Sequence, residues 1–252
     1  MMKNIIAIVF LCFGITSVLA QHKEERRIKL FNGISTATNL DVVYVLSDKN
    51  EIVVDCEKKE HLNLILTEVK NNVLTIRYKP NSSIRTHKPN KVIVYANSKL
   101  NSIKVSSGSN LNIQSEVESP KLKIETTSSG KLNVKNIQAN LVELNVSSSA
   151  DVVAAIIANK INLKASSSGK LSLSGKINAA NIDMNSSAKL DLTKCILKDV
   201  ICVGNSSAKL NLYKLETLSS DLSSSAEVFY SGEDVRILKN NTSSSARLIK
   251  QS

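Results

Sequence analysis

The sequence predicts an all-β fold, a parallel β-helix with rungs of about 20 residues, and three observations carry that prediction. A Ser-Ser-small motif recurs eight times, apolar and polar residues alternate on either side of it, and only 4% of the 252 residues are aromatic, with Trp absent. A core without large aromatic anchors has to be filled by small, repeated aliphatic side chains. The balance of 42% apolar to 22% charged residues excludes a chain disordered along its whole length.

The first element is a targeting segment. Lys3 supplies a positive start, Ile5 to Phe13 an apolar stretch, and Val18-Leu19-Ala20 a small-residue cleavage site, so residues 1–20 read as a secretory signal and the mature chain is expected to begin at Gln21. The apolar run is too short to span a bilayer and no later run approaches the required length, so an integral membrane protein is not expected. Cys12 lies inside the apolar stretch without a small residue before it, which argues against a lipid-modified start. Loss of the signal leaves Cys56, Cys195 and Cys202, an odd set that cannot pair completely; whether any two form a disulfide is left open by the sequence. Cys56 and Cys202 stand in apolar alternations and are expected as core thiols. His22, His61 and His87 are scattered without metal-ligand spacing, and each is expected as a surface or turn histidine. No metal or other cofactor is expected.

Residues 28–100 lack the repeat motif but carry strand-like runs at Leu40 to Leu46, Glu51 to Cys56, Asn72 to Tyr78 and Lys91 to Ala96. They are expected as opening rungs or a cap. Pro80 and Pro89 mark the stretch 79–91 as a loop. The expectation for residues 21–252 is one elongated β-helix domain, with the regular repeats in 101–252.

In those repeats the small residue is Ser109, Gly130, Ala150, Gly169, Ala188, Ala208, Ala226 and Ala246, at spacings of 18 to 21 residues. Two positions later stand Leu111, Leu132, Val152, Leu171, Leu190, Leu210, Val228 and Leu248. Apolar residues recur again at four after and six before, relaxing to Ser220, Asn240 and Lys250 only toward the C-terminal end, and this period of two means strand. Each repeat is therefore strand, tight corner, strand and a less regular return. Stacked about 4.8 Å apart, eight rungs make a rod of about 38 Å with like side chains above like. The small residue suits a corner with no room for a larger side chain, and the two serines are expected to hydrogen-bond along the axis or to the corner backbone.

The stretch FNGISTATNLDVVYVLSDKNEIVVDCEKKEHLNLILTEVKNNVLTIRYKP, residues 31–80, followed by rungs of the SSSGKL and NSSAKL kind, resembles the head GIN domain family, whose label carries the words auto-transporter adhesin. The resemblance covers about residues 31–250. It implies a right-handed β-helix, export to a Gram-negative envelope and a role in adhesion, and it brings no defined catalytic residues. No barrel-forming segment follows the repeats before Ser252, so transport by a translocator on this chain is not expected.

Three constellations invite a functional reading. The serine wall repeats in every copy with no histidine beside it, so it reads as structure rather than as a nucleophile. Asp183 and Asp221 share a column two rungs apart, about 9.6 Å, near the upper limit for an inverting glycosidase pair. A carbohydrate-active β-helix enzyme is therefore the alternative function, although Asp183, Asp191 and Asp221 read more simply as surface carboxylates. The third is the position after the small residue, where Lys131, Lys170, Lys189 and Lys209 form a basic stripe within a chain of net charge +11. It reads either as a solvated face that resists aggregation or as an attraction for an anionic glycan, lipopolysaccharide or another surface macromolecule. Nucleic acid is disfavoured by export and by the lack of aromatic stacking partners. The expected function is that of a non-enzymatic envelope or cell-surface solenoid, periplasmic, on the outer surface or secreted, whose rod ends offer a route to oligomers.

Overall fold

A β-ribbon that alternates inward and outward side chains holds one direction until the alternation skips a residue. In the repeats it skips twice. The ribbon Lys131–Val146 turns Leu132 and Val134 inward, then Ile137 and Ala139, then Val142, Leu144 and Val146. The two three-residue steps are bends, so one ribbon supplies three faces and the Ser-Ser corner closes the circuit. The computed structural model describes residues 22–251; the expected signal segment 1–20 and its expected cleavage site lie outside them.

The chain passes through β1 (His22–Arg27), β2 (Gly33–Thr36), β3 (Asp41–Leu46), β4 (Glu51–Cys56), the short helix α1 (Lys59–Leu62), β5 (Ile65–Lys70), β6 (Val73–Tyr78), β7 (Lys91–Ala96) and β8 (Ser102–Val105). Six long ribbons follow: β9 (Asn110–Thr126), β10 (Lys131–Val146), β11 (Asp151–Ala165), β12 (Lys170–Met184), β13 (Lys189–Gly204) and β14 (Lys209–Leu222). β15 (Glu227–Tyr230), β16 (Arg236–Thr242) and β17 (Arg247–Lys250) make the last rung and a half. The result is a right-handed parallel β-helix. Register is set by the repeat: Leu111, Leu132, Val152, Leu171, Leu190, Leu210, Val228 and Leu248 follow one another across the strands. Leu132, Leu171, Leu190 and Leu210 are all buried, as the alternation predicts.

The return strand is as regular as the others. Leu122, Val142, Ile161, Ala180, Val200 and Leu218 stack on it as one buried column. Its order is hidden in the sequence because the bends shift its phase against the first face.

The corners work through backbone rather than hydroxyls. In the turn Ser147–Ala150, Ser148 and Ser149 have φ of 54° and 58°, and every later Ser-Ser pair repeats this left-handed pairing. Two left-handed residues in succession define a type I′ turn, a conformation that costs an L-residue energy. The strain is offset by bonds in two directions: Ala150 N–H donates to Ser147 O at 3.1 Å within the turn, and Ser149 N–H donates to Ser167 O at 3.0 Å on the next rung. Side-chain contact between neighbouring corners is confined, among the described residues, to Ser147 Oγ donating to Thr127 Oγ1 at 3.3 Å. The expected serine ladder is thus a backbone ladder. A Cβ on Gly169 would lie 2.7 Å from Val146 O, and Ala150, Ala188, Ala208 and Ala226 are wholly buried, which is why the third corner residue stays small.

At the N-terminal end the parallel order gives way to antiparallel pairs: β1 with β4, β4 with β7 and β5 with β6. Arg26 ties these together by donating to Ile65 O and Leu62 O, both at 2.7 Å. Under α1, His61 is 3% exposed and sits 3.3 Å from Asn90, whose amide donates to Tyr78 Oη at 2.9 Å. Of the two positions expected for it, surface or turn, His61 takes the turn, but a buried one: the single turn of helix covers it, and no periodicity in the sequence marks that turn. His87 does stand on the surface, 2.7 Å from Glu57.

Candidate functional site

The lysine column lies on the face that leaves the Ser-Ser corner, where every first residue of a ribbon points outward. Extended through the N-terminal strands, the column runs Lys23, Asp55, Lys91, Asp41, Asn110, Lys131, Asp151, Lys170, Lys189, Lys209, Glu227 and Arg247. Most of it alternates in sign. Opposite charges on neighbouring strands are mildly favourable and like charges unfavourable, so the alternation is a stabilising ladder. Lys23 approaches Asp55 at 3.7 Å, and Glu227 is held between Lys209 at 2.7 Å and Arg247. The Lys209 hydrogen bond, with that of Arg247, draws the Glu227 carboxyl below its ordinary pKa.

Of the four lysines singled out in the sequence, only Lys209 joins an ion pair among the described residues, and Lys131 and Lys170 stand on either side of Asp151. Lys131 is flanked by Asn110 and Asp151, and Lys209 is engaged by Glu227. Lys170 and Lys189 are neighbours across β12 and β13, both exposed, and neither joins an ion pair among the described residues. Lys189 alone in the column has lysine on both sides. A shallow depression of about 160 Å³ opens beside the pair, bordered by Ser172, Asp191 and Asn211.

The acids do not form a cleft. Exposed Val203 stands between Asp183 and Asp221, and Asp221 accepts from Lys239 at 3.1 Å, which with Asn241 lowers its pKa. Asp191 accepts from Thr193 Oγ1 at 2.7 Å. The three thiols are free and buried, and burial raises Cys56 to about 11 and both Cys195 and Cys202 to about 12. Such thiols are inert at neutral pH. Among the described residues no group of three or more His, Cys, Asp or Glu side chains could hold a metal, and no helix is long and apolar enough to cross a membrane.

Sequence reasoning passed over a second ladder. On the next face Asn140, Asn159 and Asn178 stack at the bend, with Asn159 Nδ2 donating to Asn140 Oδ1 at 2.6 Å and Asn178 Nδ2 donating to Asn159 Oδ1 at 3.1 Å. Their uniform spacing of 19 residues was the available signal.

The family described as "putative auto-transporter adhesin, head GIN domain" matches residues 30–154 and 133–233. The chain belongs to the head GIN domain family. No curated protein matches the sequence. Among solved structures, this head GIN domain chain is similar to a "putative adhesin" from Parabacteroides merdae, with TM-score 0.83 and 18% identity over 92% of this chain and 96% of that one. A "putative lipid binding protein" from Parabacteroides distasonis has TM-score 0.80 and 19% identity over 92% and 97% of the two chains. A "putative adhesin" from the same organism has TM-score 0.77 and 20% identity over 89% and 96%. At these identities the likeness is one of fold.

Proposed function

We propose that this head GIN domain protein is a non-enzymatic, exported adhesion protein that holds an anionic surface macromolecule, such as lipopolysaccharide or an acidic glycan, against the first face of its solenoid. The observation that carries the reading is the break in the charged ladder. Stacking Lys170 on Lys189 and Lys189 on Lys209 opposes cross-strand charge preference, whereas most of the remaining ladder respects it. A ligand phosphate or carboxylate between the two ammonium groups would replace the missing acid. Ser172 and Asn211 border the same depression as neutral donors on either side of the Asp191 carboxylate, which accepts from Thr193. The family description and the adhesin neighbours support the adhesive part of the reading. An open face with only a shallow depression suits an extended partner better than a small substrate.

The test compares wild type with Lys170→Gln/Lys189→Gln for binding to immobilised lipopolysaccharide and to an acidic polysaccharide. Wild-type binding should weaken severalfold between low salt and about 0.5 M, where the Debye length falls to a few ångströms, and the double variant should bind weakly at both. Equal binding by the two proteins, or binding indifferent to salt, would remove the lysine pair as the site.

A further inference from the structure

The face that carries the asparagine ladder is concave. A depression of about 480 Å³ lies over β9 to β12, and another of about 440 Å³ continues it toward the N-terminal strands; the two share Glu118 and Pro120. The hollow has a sequence cause. Where later rungs place Ile177 and Leu197 in the adjoining inward column, the first three place Ser119, Ala139 and Ala158, so the wall lies lower there. We infer that this groove is a binding site for a neutral oligosaccharide lying along the solenoid axis. The inference concerns a different face from the lysine pair and does not depend on it.

The chemistry of the groove selects that class. Each asparagine uses one amide N–H or its oxygen, or both, within the ladder, which leaves donor and acceptor capacity directed to solvent once per rung. The rungs repeat about every 4.8 Å, comparable with the span of one pyranose ring. Beside the ladder runs the column Glu118, Gln138, Ile157 and Lys176: two side chains that accept from hydroxyls, then an exposed isoleucine, then an ammonium at the far end. Pro120, Ala139 and Ile157 supply apolar surface for the C–H faces of a sugar. Glu116 and Glu118 repel an anion from the middle of the groove, which favours an uncharged sugar. Amides take the place of the aromatic platform that the composition denies, so the binding is polar and modest in strength.

The experiment titrates the protein with neutral hexasaccharides of glucose, mannose and N-acetylglucosamine by calorimetry at millimolar concentration. At least one should bind, with an affinity unchanged at about 0.5 M salt and unchanged in Lys170→Gln/Lys189→Gln. Asn159→Ala/Asn178→Ala should weaken it about tenfold, in line with two lost hydrogen bonds. Ile157→Arg, a change at an exposed position that fills the floor, should abolish it and serves if the asparagine variant fails to fold. Absence of binding by all three sugars, equal binding by wild type and both groove variants, loss confined to the lysine variant, or uptake of a fluorescent fatty acid in place of every sugar would each overturn the assignment.

Discussion

Replacing Gly175 by alanine adds one methyl group, and the fold leaves no place for it. Gly175 lies between Ile156 and Cys195 in the stack and has a φ of +114°, a region that L-residues occupy at a cost of about 1–3 kcal/mol. The new Cβ would lie 2.2 Å from the Ile156 carbonyl oxygen and 3.0 Å from its carbon. That oxygen would have to retreat by about an ångström, loosening one or two inter-rung hydrogen bonds worth about 1 kcal/mol each. The expected loss is about 3–4 kcal/mol. With a urea dependence of about 3 kcal/mol per molar for a chain of this size, the unfolding midpoint should fall by about 1 M. Gly33→Ala is the matched control: its φ is not positive, and its Cβ would meet the Val73 methyl at 3.0 Å, a contact that yields. Because a solenoid rung touches only its neighbours, amide exchange should accelerate first in β11 to β13. A Gly175→Ala protein that unfolds at the same urea concentration as Gly33→Ala would refute the reasoning.

At the corners, Ser187→Gly should raise stability by about 0.5 kcal/mol, as relief of the left-handed strain outweighs the added freedom of the unfolded chain, and Ser187→Val should lower it by at least about 1 kcal/mol; urea midpoints decide both. Leu190→Ala, in the middle of the buried ladder, should cost about 2–5 kcal/mol by the same measurement. The Glu227 pairing lowers its pKa, so its contribution to stability is present above the ordinary carboxylate value and is lost as pH falls through the lowered one. Wild type should therefore lose stability below about pH 4.5 more steeply than Glu227→Gln, and equal acid limbs would exclude the pairing as a cause. Cys56, Cys195 and Cys202 should resist a thiol reagent at pH 8 in the folded protein and react together in urea, because burial raises all three.

What the sequence makes legible is what repeats at fixed distance. Leu132, Leu171, Leu190 and Leu210 declare both the strand and the stack, since identical side chains recur where one rung lies on the next. The three-residue steps at Val134–Ile137 and Ala139–Val142 conceal the third face, because a skipped residue reverses inside and outside. His61 escapes notice for a different reason: its burial comes from a single helical turn, too short to show a period. The lysine column was visible as a row of charges with Asp151 and Glu227 among them, but its continuation toward the N-terminus was not. The acids that complete it, Asp55 and Asp41, belong to strands without the repeat motif and are brought into line by the pairing of β4, β7 and β3.

The axial hydrogen bonds of the corners also determine how the rod yields to force. Each corner is joined to the next through bonds such as Ser168 N–H to Ser186 O, with strand-to-strand bonds running the same way. A pull along the axis at an end rung therefore loads one row of bonds at a time and peels the chain away like tape. Every rung released frees about 20 residues, or roughly 70 Å of slack at the contour length of an extended chain. A molecule tethered along the side of the rod instead loads many rungs together in shear. The same solenoid is thus compliant end-on and stiff broadside, a mechanical anisotropy suited to holding a partner along its flank.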